Sequence, residues 1–87
     1  MRPNLWEFYG EAVLSEVAKA RPQVREDFVR LMNRLTTNPR QGRGVRELRT
    51  EPGGFTAPFD DALLVYQILA DYPRIHLLLV VWNPPPE

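Results

Sequence analysis

Two apolar runs in the C-terminal half leave the chain the fewest choices. Leu63-Leu64-Val65-Tyr66-Gln67-Ile68-Leu69-Ala70 and Arg74-Ile75-His76-Leu77-Leu78-Leu79-Val80-Val81-Trp82 are separated only by Asp71-Tyr72-Pro73. Successive side chains of a strand point to opposite faces, so a half-exposed strand alternates apolar with polar. These runs are apolar at both phases, interrupted only by Gln67 and His76, and so predict two strands buried on both sides. Such a pair needs a covering layer on each face.

The preceding residues supply one layer. Leu5-Trp6-Glu7-Phe8-Tyr9 is a short aromatic run closed by Gly10, which reads as a strand. From Glu11 to Ala20, the residues Val13, Leu14, Val17 and Ala18 fall on one stripe of a helix. Pro22 ends that helix and suits the first turn of the next, because a proline at the first helical position has no N–H to leave unsatisfied. The second helix runs to about Thr37, with Val24, Phe28, Leu31 and Leu35 on one face, and Asn38-Pro39 stops it. Phe55-Thr56-Ala57-Pro58-Phe59 reads as a weak strand, placed at an edge because its proline donates no ladder hydrogen bond. The resulting order is β-α-α-β-β-β: an α+β domain over residues 1–82, with a small, mainly antiparallel sheet and an N-terminal helical hairpin on one face. Residues 83–87, Asn83-Pro84-Pro85-Pro86-Glu87, form an extended Pro-rich tail. The other sheet face is left to a partner, since a large exposed apolar surface is rare on a monomer.

At 87 residues the chain is one small domain with one core. It has no cysteine and a single histidine, so no thiolate metal site is available and no metal or other cofactor is expected. No stretch approaches the roughly 20 apolar residues of a membrane helix, and the expectation is a cytoplasmic protein.

A formal net charge of zero hides an uneven distribution. Between Lys19 and Arg49 stand nine basic residues against three acidic ones, and outside that block two basic against eight acidic. A local positive block attracts phosphates or an acidic partner whatever the overall balance. Its densest part carries Arg40, Arg43, Arg46 and Arg49 at every third position around Gly42 and Gly44, a pattern read as a mobile basic loop that binds nucleic acid or a partner.

This order and its punctuation resemble the RelE/ParE toxin superfamily of bacterial toxin-antitoxin modules. The matching residues are Trp6-Glu7-Phe8 leading to Glu11-Ala12, Leu35-Thr36-Thr37-Asn38-Pro39-Arg40-Gln41-Gly42 at the helix exit, and Val45-Arg46-Glu47-Leu48 after it. Asp61 followed by Leu64-Val65-Tyr66 and the last strand from Arg74 to Val80 complete the likeness, which covers almost the whole chain. The resemblance implies a toxin-like protein held by an antitoxin and, in one branch, a nuclease that cuts mRNA on the ribosome. Such nucleases set arginines and lysines against the developing phosphate charge and use a tyrosine, histidine or glutamate for proton transfer. Aligned on Tyr66, the family's strand arginines fall at Thr56, Pro58 and Leu63, and its last catalytic segment falls on the Pro-rich tail. The resemblance thus implies a toxin-like, antitoxin-binding or homo-oligomeric protein without the usual nuclease set. One alternative is ribosome-dependent mRNA cleavage by a reassigned set drawn from Arg40, Arg43, Arg46, Arg49, Arg74 and His76, with Tyr66 able to act if it faces the open side. Another is gyrase inhibition in the manner of the ParE branch.

Overall fold

The computed structural model describes residues 6–42, 44–50, 52–69 and 74–83. Arg43, the Ala70-to-Pro73 connection and the prolines of the tail therefore lie outside the described residues. The elements are β1 (Glu7–Tyr9), α1 (Glu11–Ala18), α2 (Pro22–Thr37), β2 (Arg46–Glu47), β3 (Gly54–Phe59), β4 (Ala62–Leu69) and β5 (Arg74–Trp82). The strands form one sheet in the order β1-β5-β4-β3-β2. β5-β4-β3-β2 is an antiparallel meander, and β1 joins β5 in parallel, so the sheet is mixed.

The helices follow from local chemistry. Pro22 opens α2 with its fixed φ, and Asn38, extended before Pro39, closes it. Val24, Phe28, Leu31, Met32 and Leu35 are all buried on one side of it. α1 ends at Ala18, two residues earlier than its pattern predicts, and of its stripe only Val13 and Val17 are buried. Leu14 remains exposed. Between β1 and α1, Gly10 has φ 150, and a Cβ there would lie 2.6 Å from both the Cβ and the carbonyl oxygen of Leu77. Only glycine lets the chain turn from strand to helix this close to β5.

α1 packs on β5 and α2 on β3, so both helices cover the same side of the sheet. On that side Ala57, Leu64, Tyr66, Ile75 and Leu77 are sealed, and Phe28 meets Phe59 edge to face at 5.4 Å. Trp82 stacks edge-on against Phe59, and its Nε1–H donates to Glu16 Oε1 of α1.

Three expectations change. The expected double burial of β4 and β5 does not occur within the chain: β4 alternates strictly, with Ala62, Leu64, Tyr66 and Ile68 buried and Leu63, Val65, Gln67 and Leu69 half-buried. In β5 the alternation is broken by one extra residue, since Tyr66 pairs with Leu77 while Val65 pairs with Leu79, leaving Leu78 as a bulge. Val80 thereby joins the helix side and Leu79 the far side, which is why the run is apolar at both phases. The third change is at the sheet edge. Arg46–Glu47, expected within a mobile loop, forms β2 against Thr56 and Phe55, so β3 is not the edge strand along those residues. Pro58 lies beyond this short ladder, consistent with its missing donor.

Candidate functional site

The side of the sheet away from the helices is uncovered by any described element, and the register orders its side chains into rows across the strands. One row is Glu7, Arg74 and Leu69; the next is Tyr9, His76, Gln67 and Gly54; then Leu79, Val65, Thr56 and Arg46; then Val81, Leu63 and Pro58. The first two rows are polar and aromatic. The last two are apolar across their centre, with Leu63, Val65 and Val81 half-buried and Leu79 48% exposed. A surface graded in this way offers apolar contact area flanked by hydrogen-bonding groups, the anatomy of a protein interface.

His76 lies on this open face, half-buried, with its ring stacked on that of Tyr9 at 4.4 Å and nearly parallel. Arg74 stands one row away, its Nε 3.7 Å from a carboxylate oxygen of Glu7 on the neighbouring strand. Both ends of that pair are exposed to solvent, so it orders β1 more than it stabilises the fold.

Tyr66 is on the opposite side. It is fully buried against the helix layer, and its hydroxyl donates to the carbonyl oxygen of Pro39 at 2.6 Å. Burial pushes its phenol well above the ordinary value. The hydroxyl therefore fastens the helix-exit loop to β4 and does not share a surface with His76.

The arginine block does not converge. Arg40 lies over the Trp6 ring, 5.6 Å from its centroid, and its backbone N–H is bonded to Asn38 Oδ1. Trp6 immediately precedes β1, whereas Arg46 is in β2, at the other edge of the sheet, on the open face beside Thr56. Arg49 is exposed in the turn between β2 and β3. Among the described residues, the open face thus gathers His76, Arg74 and Arg46, and separates them from Tyr66 and Arg40. Thr56, Pro58 and Leu63, where the family resemblance puts arginines, form one contiguous patch on this face, Pro58 pairing directly with Leu63. Tyr9 was not singled out from the sequence, because its place beside His76 depends on the parallel register of β1.

No group of histidine, cysteine, aspartate or glutamate side chains suited to a metal ion occurs among the described residues. Among them, too, no helix is long and apolar enough to cross a membrane.

Comparison with solved structures places this architecture. The isolated E. coli RelE toxin superimposes with a TM-score of 0.78 at 21% identity, over 94% of this chain and 88% of that one. The chain has the RelE toxin fold. A chain of the intact E. coli RelBE toxin-antitoxin complex matches with a TM-score of 0.76 at 20% identity, over 92% of this chain and 99% of that one. A chain of the RelBE2 toxin-antitoxin complex from Mycobacterium tuberculosis matches at 0.72 and 21%, over 90% and 98%. No protein-family model matches the sequence, and no curated protein matches it. The RelE fold here keeps its sheet and helical hairpin in full, while its open face has an apolar centre.

Proposed function

We propose that this chain is the toxin-like member of a type II toxin-antitoxin pair, and that an antitoxin binds across the open face of its sheet. The observation that carries this reading is the row of half-buried and exposed aliphatic residues, Leu63, Val65, Leu79 and Val81, on a face that the chain does not cover. Its likeness to chains solved in toxin-antitoxin complexes supports the same reading. Aliphatic residues at Leu63 and Pro58, where charged groups would be needed beside a scissile phosphate, favour binding over mRNA cleavage. Apolar burial contributes about 25 cal/mol per Å², so docking a helix or strand on these rows is driven mainly by them.

The experiment is co-expression with the product of the adjacent reading frame. The wild-type chain is expected to copurify with it, and Leu79→Glu to lose the complex while its circular dichroism and melting stay unchanged. A complex that survives Leu79→Glu places the antitoxin elsewhere.

The placement of His76, Tyr9, Arg74 and Arg46 on one face favours a second reading, ribosome-dependent mRNA cleavage by this reassigned group. In that case expression arrests translation and His76→Ala relieves the arrest. Gyrase inhibition would instead show as lost supercoiling activity with translation intact.

A further inference from the structure

The other side of the molecule carries a second apolar surface that the antitoxin reading does not use. α1, α2 and the helix-facing residue of β1 enclose an open groove of about 360 Å³, walled by Phe8, Leu14, Val17, Phe28, Val29 and Met32, with Arg25, Asn33 and Thr36 at its rim. Phe8 is 39% exposed, Leu14 37% and Val29 57%. The helices bury their inner stripes against the sheet, so this groove is an outward surface and not a gap in the core.

Three features of α2 identify the occupant. Val29, the most exposed of the large apolar side chains, sits at the midpoint of the helix, so a two-fold axis beside it aligns two copies of α2 along their whole length. The patch has a ridge, Val29, directly beside a groove. A two-fold interface requires both on the same surface, because each copy must supply what the other receives. The charges also run in the matching sense. Glu26 and Asp27 lie in the first half of α2 and Arg30 and Arg34 in the second, so an antiparallel pair sets acidic residues of one copy opposite basic residues of the other. Arg30 is already 3.2 Å from Asp27 in its own chain and is 73% exposed, with donors left for a second carboxylate. Arg25, the basic residue of the first half, is turned to the Ala18 carbonyl at 3.5 Å.

From these we infer that the chain forms a two-fold homodimer through its helical hairpin, with the α2 helices antiparallel and Val29 near the axis, leaving the open sheet face free. This arrangement does not depend on what binds that face, and the two are tested by different variants.

The test is light scattering of the full chain from micromolar to millimolar concentration. The wild type is expected to be a dimer that dissociates on dilution, and Val29→Glu a folded monomer throughout. Leu79→Glu, on the opposite side of the sheet, stays dimeric. Glu26→Arg weakens the dimer about tenfold, because two-fold symmetry repeats each lost ion pair, and combining it with Arg30→Glu restores association. A monomer at every concentration overturns the inference. So does a dimer that Leu79→Glu dissolves and Val29→Glu leaves intact.

Discussion

The two sides of the β4–β5 pair are nearly equal in composition and opposite in circumstance. On the helix side, Leu64, Tyr66, Ile75 and Leu77 are at most 2% exposed and every neighbour is supplied by this chain. On the far side, Leu63, Val65, Gln67 and His76 are half-buried and Leu79 is half exposed, because no described element crosses them. Aliphatic side chains on both faces therefore have two meanings. One set holds the fold together, and the other is left for contact outside it. The contrast predicts that neighbouring residues on one strand should separate stability from binding.

The sharpest way to break this comparison is to shorten adjacent side chains of β4. Leu64→Ala opens a cavity in a closed layer and is expected to cost about 2–5 kcal/mol in urea unfolding. Val65→Ala removes two methyl groups from a face that is already partly hydrated, and its cost should stay below about 1.5 kcal/mol. Equal costs would mean that the far side is as closed as the near side, and the antitoxin reading would lose its basis. If the comparison holds, Val65→Ala weakens antitoxin binding more than Leu64→Ala does among molecules that remain folded.

A smaller effect sharpens the helix side. Tyr66→Phe keeps the ring and its stacking on Phe55 but leaves the Pro39 carbonyl without its donor, for an expected loss of about 1–3 kcal/mol. The same hydroxyl gives a pH signature. The fold raises the phenol above its usual value by burial, so the folded chain keeps the proton at pH values where the unfolded chain releases it. Its contribution is complete below the ordinary tyrosine value of about 10 and declines as pH rises beyond it. The wild type should therefore lose stability in that alkaline range more steeply than Tyr66→Phe, measured as the shift of urea midpoints.

What could be read in advance divides along the same line. The limits of α2 were legible because Pro22 and Asn38-Pro39 act through the backbone, independently of tertiary partners. The helix-side core of α2 was legible from its period for the same reason. The faces of β5 were not, because Leu77-Leu78-Leu79-Val80-Val81 contains no polar residue to mark the phase, and the bulge at Leu78 reverses it unseen. β2 escaped notice because two residues with charged side chains carry no strand pattern, and only pairing with Phe55 and Thr56 defines it. At the candidate site, His76 stood out as a lone polar group in an apolar run. Its neighbour Tyr9 did not, since the parallel pairing of β1 with β5 joins residues far apart in sequence. The arginines at every third position suggested a single basic surface, but Arg40 over Trp6 and Arg46 in β2 belong to opposite sheet edges.

The smallest expected effect lies where the two faces meet, at the connection between β3 and β4. Phe59 pairs with Ala62, so Asp60 and Asp61 alone make the turn, and Asp60 has φ 50, in the left-handed region that favours glycine. Two consequences of Asp60→Gly oppose each other. Glycine accepts this backbone angle without a Cβ, but it also enlarges the freedom of the unfolded chain and removes the carboxylate. Hydrogen bonding with the side chain and backbone of Asp61 holds that carboxyl below its usual range, so its contribution is present above the ordinary aspartate value and is lost as pH falls through the lowered one. The difference in Tm between Asp60→Gly and wild type should therefore be slight at neutral pH and move in favour of the variant as the solution is acidified. A difference independent of pH would show that the turn is held by its backbone alone. That result would leave the two faces of the hairpin joined by geometry, with no electrostatic part for Asp60.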